Sequence, residues 1–237
     1  SSLLAGILTL TLASSPGSAP AQTGNAGRWA RPIATQAKIS PPLRAAAPGV
    51  TRALAAMSGG SIVAWGTTNS RGQCNVPSPN SSFVAVTAGG LHGLGLQSDS
   101  TVTAWGWNYY AQCDVPAPNS DFLAISAGQT HSLGLKSDGS IVAWGSNQYG
   151  KCEVPAPNAG FVALAAGGYH SLGLKFDGSV VAWGSNSHGQ LDVPAPDSGF
   201  VAISAGDFHS LGLTADRTIV AWGWNDYGQC GQGSSGA

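Results

Sequence analysis

Charge is scarce in this sequence. Ten Lys and Arg and eleven Asp and Glu make up 9% of 237 residues, where an ordinary soluble domain carries about a quarter. Formal net charge is −1. Without clustered Lys and Arg there is no footprint for a nucleic-acid backbone and no polybasic patch for a membrane surface. Long apolar runs are scarce too. The run Leu3–Ala13 has 11 residues, short of the roughly 20 that span a bilayer, so membrane insertion of the mature domain is not expected. There is no phosphate-binding Gly-rich loop, no Gly-x-Ser-x-Gly elbow and no HExxH. What is abundant is Gly, at 34 residues, with 14 Pro.

That glycine and proline is periodic. The stretch His170–Gly184, HSLGLKFDGSVVAWG, has near-copies at His131–Gly145, His92–Gly106 and His209–Gly223. A worn copy, with Arg52 in the His position, ends in Ala64-Trp65-Gly66. Trp65, Trp105, Trp144, Trp183 and Trp222 follow one another at intervals of 40, 39, 39 and 39 residues. One supersecondary unit is therefore repeated, in units of about 43–82, 83–121, 122–160, 161–199 and 200–237.

Within the fourth unit, Phe161–Ala165 is a short apolar run broken by Ala166-Gly167-Gly168. Tyr169–Lys175 alternates as a strand does. Asp177-Gly178 signals a tight type I′ hairpin, and Ser179–Gly184 is β-branched and aromatic. Gln190–Val193 forms a short fourth strand, ended by Pro194 and Pro196. Four antiparallel strands in 39 residues make a propeller blade. The expected fold is an all-β propeller of four-stranded antiparallel blades. About five blades are present, as part of a seven-bladed ring, with a closed five-bladed ring as the alternative. Each repeated Trp wedges between blades, and the Gly after it lets the next sheet approach.

Residues 1–21 read as part of a secretory signal peptide: an apolar core, then small residues up to Ala19-Pro20-Ala21. Cleavage after Ala21 is expected, or after Ala13. Absence of an initiating Met and basic start makes the sequence look like a fragment. Residues 22–42 read as a linker. The expected location is secreted, periplasmic or cell-surface.

The pattern G-x-x-H-S-L-G-L, then D-G-S-(V/I)-V-A-W-G, then G-(Q/K)-x-x-V-P resembles the regulator of chromosome condensation repeat family, over about Leu43 to Cys230. The 39-residue unit is similar to the compact bacterial type, that of the seven-bladed β-lactamase inhibitory proteins. The resemblance implies a seven-bladed β-propeller and a scaffold role for the repeated His. Nucleotide exchange, chromatin binding and β-lactamase inhibition do not carry over, because the basic surface and loops they need are not visible.

Several residues could carry chemistry. His92, His131, His170 and His209 share one repeat position on separate blades, so they cannot converge on a metal. They read as satisfied scaffold histidines. Cys74, Cys113, Cys152 and Cys230 share a position that holds Leu191 in the fourth unit, which suggests free, buried thiols acting as small hydrophobes. Asp99, Asp138, Asp177 and Asp216 read as turn residues. Ser132, Ser171 and Ser210 directly follow a His and point to the opposite strand face, so no Ser–His catalysis is expected within a unit. No cofactor and no metal is expected.

The units differ in two places. The loop after Trp-Gly carries Trp107, Tyr109 and Tyr110, then Tyr149, His188, Trp224 and Tyr227, with Asp226. The corner before His carries Leu91, Thr130, Tyr169 and Phe208, beside Gln129 and Asp207. Tyr and Trp are favoured anchors at recognition surfaces. The same rings could instead pack on neighbouring blades or line the channel. The expected function is a secreted or surface-exposed, non-catalytic scaffold that binds a protein or glycan through these aromatics, and not nucleic acid. The alternatives are a structural array in a longer surface protein and a propeller enzyme such as a hydrolase or lyase.

Overall fold

The structure is a computed structural model that describes residues 54–58, 60–66 and 68–231. The expected leader (1–21), the linker (22–42) and the worn start of the first unit, with Arg52, lie outside the described residues.

Fourteen strands form five antiparallel sheets among the described residues. The first has two strands, β1 (Leu54–Ser58) and β2 (Ser61–Trp65). The others have three each: β3 (Phe83–Ala88), β4 (His92–Gln97) and β5 (Val102–Gly106); β6 (Phe122–Ala127), β7 (His131–Lys136) and β8 (Ile141–Gly145); β9 (Phe161–Ala166), β10 (His170–Lys175) and β11 (Val180–Gly184); β12 (Phe200–Ala205), β13 (His209–Thr214) and β14 (Ile219–Gly223). The middle strand pairs with both neighbours in one register throughout: His131 faces Gly145 and Ser132 faces Trp144, as His170 faces Gly184 and Ser171 faces Trp183. The first strands β3, β6, β9 and β12 lie each against the next. Successive sheets are thus the blades of a β-propeller, with the first strand of each on the inside.

Among the described residues no blade forms its expected fourth strand. Gln190 and Leu191 are in a turn, and the chain then runs as irregular backbone through Val193-Pro194. The prolines supply no ladder donor, so another device covers the outer edge. Asn119 Oδ1 accepts from Val102 N at 2.8 Å while its Nδ2 donates to Val102 O at 2.9 Å. Asn158 clamps Ile141 in the same way, at 2.8 Å both ways, and Asn80 clamps Ile62 at 2.7 Å both ways. One side-chain amide supplies the donor and acceptor of an absent strand.

The hairpin also differs from the tight type. Gly139 and Gly178 have φ of 80° and 84°, while the Asp before each has no positive φ. Gly139 N donates to Lys136 O, and Lys136 N to Ser140 O. This is the longer loop with a single left-handed residue. The Gly after each repeated Trp has its own reason, too. Gly145 has φ 101°, and a Cβ there would stand 2.8 Å from Thr130 O and 2.9 Å from His131 Cα. It makes room first for its own blade's middle strand and then for the loop of the preceding blade, whose Gln112 Cβ would stand 3.1 Å away.

The core lies between blades. Leu133, Leu135 and Ile141 of one blade pack with Phe161 and Trp183 of the next, and the same set recurs on either side. Trp105, Trp144, Trp183 and Trp222 are 5–6% exposed. Each buried indole removes about 150–250 Å² from water, an upper figure of about 4–6 kcal/mol. Trp65 is the exception, at 39% exposed. The other four reach a carbonyl 32 residues upstream, and for Trp65 that position falls outside the described residues.

Candidate recognition face

The loop after each Trp-Gly is framed by constant residues. Asn147 Oδ1 accepts from Cys152 N at 3.0 Å, and its Nδ2 donates to Glu153 Oε1 at 2.9 Å. Asn108, Asn186 and Asn69 make the equivalent pairs with Cys113 and Asp114, Leu191 and Asp192, and Cys74 and Asn75. Gln112 Oε1 accepts from Tyr110 N, and Gln190 Oε1 from His188 N. These bonds hold the loop without involving the side chains at its tip, so the tip can vary. In the third unit Lys151 stands where the others have Gln. Lys cannot accept, and there Tyr149 takes φ 69°. Lys151 Nζ instead donates to Thr130 Oγ1 at 2.8 Å, and burial lowers its pKa.

The carbonyl at this Gln or Lys position ties the blades together. Gln112 O accepts from Trp144 Nε1 at 2.9 Å and from Ser132 Oγ at 2.8 Å. Lys151 O accepts from Trp183 and Ser171, and Gln190 O from Trp222 and Ser210. Each Ser also faces the His of the preceding blade: His92–Ser132 at 3.0 Å, His131–Ser171 at 3.0 Å and His170–Ser210 at 2.9 Å. The Ser gives its only proton to the carbonyl, so His Nε2 must be the donor. These His–Ser pairs resemble a nucleophile and base in spacing only. The serines and histidines of all three pairs are fully buried. Desolvation drops His92 and His170 to a pKa of about 4 and His131 to about 3, the last helped by the charges of Lys151, His92 and His170. Neutral, buried and pointing its proton at the serine, the imidazole cannot act as a base toward it.

The cysteines are free and half-buried rather than buried. Cys113 Sγ and Cys152 Sγ each donate to a loop carbonyl, of Trp107 and Ser146, at 3.5 Å. Burial pushes both thiols up to about 11, which leaves them poor nucleophiles. Asp138 and Asp177 accept from Ser140 and Ser179 in the turns, and those bonds hold their carboxyls below the usual range.

The two variable sets meet on one face. Trp224 N donates to Phe208 O and Ser185 N to Tyr169 O, so corner and loop sit side by side at the same end of the blade. A run of ring contacts then crosses three blades: Tyr149–Tyr169 at 6.2 Å, Tyr169–Phe208 at 4.9 Å, Phe208–His188 at 4.9 Å, His188–Trp224 at 5.6 Å and Trp224–Tyr227 at 5.2 Å. Its ends are open, with Tyr149 57% and Tyr227 83% exposed. Trp107, Tyr109 and Tyr110 form a second cluster on the second blade, at 4.9–5.9 Å from one another. The guanidinium of Arg71 lies over Trp107 at 5.9 Å. Beside Trp107 lies a cavity of about 400 Å³, lined by Gly and Ala of four blades and by Leu91, Trp107, Gln129, Thr130 and Asp207. Lys151 and Arg71 were not legible as part of this face from the sequence; the exchange of Gln for Lys in one unit was the available signal.

Blades with an interleaved aromatic core, tied by a repeated Trp–carbonyl bond, define a β-propeller protein. Residues 122–151, 161–190 and 200–229, in three consecutive units, match the Regulator of chromosome condensation (RCC1) repeat. No curated protein sequence matches the chain. Among solved structures it is similar to the ectodomain of the Physcomitrella patens receptor kinase CR4, with TM-score 0.61 and 26% identity over 72% of this chain and 49% of that one. It is also similar to the CRINKLY WD40 ectodomain of the Arabidopsis thaliana receptor kinase ACR4, with TM-score 0.57 and 27% identity over 70% and 62%. Prp20p from Saccharomyces cerevisiae, described for its binding to Gsp1p and histones, shares the fold with TM-score 0.54 and 24% identity over 65% and 47%. The chain spans about half the length of CR4 and Prp20p and less than two thirds of ACR4.

Proposed function

We propose that this chain is a non-catalytic binding scaffold, secreted, periplasmic or at the cell surface, whose aromatic face recognises a protein or glycan. The observation that carries the reading is the ring-to-ring run from Tyr149 to Tyr227, which joins the two sets of variable positions into one surface. Aromatic side chains supply large contact area at small conformational cost, and the framed loops hold them in place before a ligand arrives. Export rests on the apolar Leu3–Ala13 segment and the small residues after it. Among the described residues no helix is long and apolar enough to cross a membrane. The non-catalytic reading draws on the buried, neutral state of the three His–Ser pairs.

The test compares wild type with a Trp107→Ala, Tyr149→Ala, Trp224→Ala variant on an immobilised glycan array and against peptides selected from a displayed library on the wild type. Binding by the wild type, lost in a variant with unchanged far-ultraviolet dichroism, supports the reading. Undiminished binding by the folded variant overturns it.

A further inference from the structure

The cavity beside Trp107 has a chemistry of its own. At the position two before each corner His the four blades carry Gly90, Gln129, Gly168 and Asp207, small and polar by turns. The alternation is steric. A Cβ on Gly90 would stand 2.7 Å from Gln129 O and 3.2 Å from its Cγ, and one on Gly168 would stand 3.0 Å from Asp207 Cα and O. Each glycine yields its space to the polar residue of the following blade. The backbone is drawn close by the same pairing, Gly90 N to Gly128 O at 3.1 Å and Gly168 N to Gly206 O at 3.2 Å. Two polar side chains, one amide and one carboxylate, thereby stand on alternate blades around one cavity.

A third polar group joins them. Thr130 Oγ1 accepts the ammonium proton of Lys151, so its own hydroxyl proton is available as a donor on the cavity wall. The lining therefore offers an amide that donates and accepts, a hydroxyl that donates and a carboxylate that accepts. Trp107 and Leu91 supply an apolar wall, and the other lining residues are Gly and Ala. Among the described residues no Lys or Arg lines the cavity, which disfavours a phosphate. Peptide groups and short side chains disfavour a hydrocarbon chain. At about 400 Å³ the space is at the low end of small-molecule sites, about 300–1,000 Å³.

A ligand that needs donors and acceptors together, around a compact ring with one apolar face, is a sugar. We infer that the cavity holds one neutral sugar residue, its apolar face against Trp107 and its hydroxyls read by Gln129, Thr130 and Asp207. This rests on the recognition reading above and narrows it: the aromatic run would carry the remainder of a glycan whose terminal residue enters the cavity.

The test titrates the ¹⁵N-labelled full chain with glucose, galactose, mannose and N-acetylglucosamine, following the indole resonance of Trp107. The expected result is a saturable shift with at least one sugar. Affinity should weaken about tenfold or more in Gln129→Ala and Asp207→Ala, since each lost bond leaves a ligand hydroxyl unpaired. Thr130→Val, which keeps shape and removes the hydroxyl, should do the same. Phe176→Ala, on an exposed hairpin, should leave affinity unchanged. No saturable shift with any of the four sugars overturns the inference. Sugar binding that survives in the folded Gln129, Thr130 and Asp207 variants but fails in Tyr149→Ala overturns it too, while leaving the aromatic face as a recognition surface.

Discussion

His131 Nε2 donates to Ser171 Oγ across 3.0 Å, joining two blades through residues forty positions apart. Ser171 passes its proton to Lys151 O, which also receives the indole N–H of Trp183. This four-group lacing occurs at three successive boundaries. At the boundary before them Gly93 stands in place of the serine, and Trp105 alone reaches Gln73 O. The expected effect of Ser171→Ala is a loss of about 1–3 kcal/mol, because the buried imidazole N–H is left without an acceptor. The urea midpoint checks this. An unchanged midpoint would mean that the indole bond alone holds the boundary.

Acid should open the same boundaries. The folded pKa values of His92, His131 and His170 lie at about 4, 3 and 4, below the ordinary 6.5. As pH falls through 6.5 the unfolded chain takes up protons that the native blades refuse. Stability is therefore complete above about pH 7 and falls from 6.5 down to about pH 3, the folded value of His131. Each histidine contributes on the order of 3 kcal/mol to that fall. The turn carboxylates Asp99, Asp138, Asp177 and Asp216 are held below 3.8, so the stability they add is lost only toward the acid end of this window. A melting temperature that stays constant from pH 7 to pH 4.5 would contradict the account. A shallower slope in His131→Gln would locate the effect.

The asparagine clamp makes an internal comparison possible. Asn158 holds both backbone groups of Ile141, whereas Asp197 in the next unit cannot donate, and Val180 N reaches only its backbone oxygen at 3.3 Å. Asn158→Ala should cost about 1–2 kcal/mol. Asp197→Asn should stabilise the fourth blade by about 0.5–1 kcal/mol if the amide completes the clamp. Thermal melts of the two variants check both signs, and a destabilised Asp197→Asn would show that the edge there is held otherwise.

Much of the fold is legible in the sequence because each blade is written at 39-residue intervals. The three strands follow from local alternation and the breaks at Gly, and the interblade tryptophans from their spacing. The absent fourth strand was not legible in Leu191–Val193, which looks extended and apolar. Only the structure shows that Asn119 and Asn158 take over its hydrogen bonds. The His–Ser contact was hidden for a related reason: neighbours in sequence, His131 and Ser132, face opposite ways, and the partner lies one repeat further on. Variation among units marked the two variable sets, Tyr149 to Tyr227 in the loops and Tyr169 and Phe208 at the corners. That they form one face depends on the corner and loop meeting at the strand end, a tertiary fact that no window of sequence contains.

The tryptophans divide into a frame and a face, and exchange of the indole N–H protons tests that division directly. In ¹⁵N spectra taken in D₂O, the indoles of Trp105, Trp144, Trp183 and Trp222, each bonded to a buried carbonyl, should exchange slowly. Those of Trp107 and Trp224, on the proposed recognition face, should vanish at once. Slow exchange at Trp107 and Trp224, or fast exchange at all six, would contradict it.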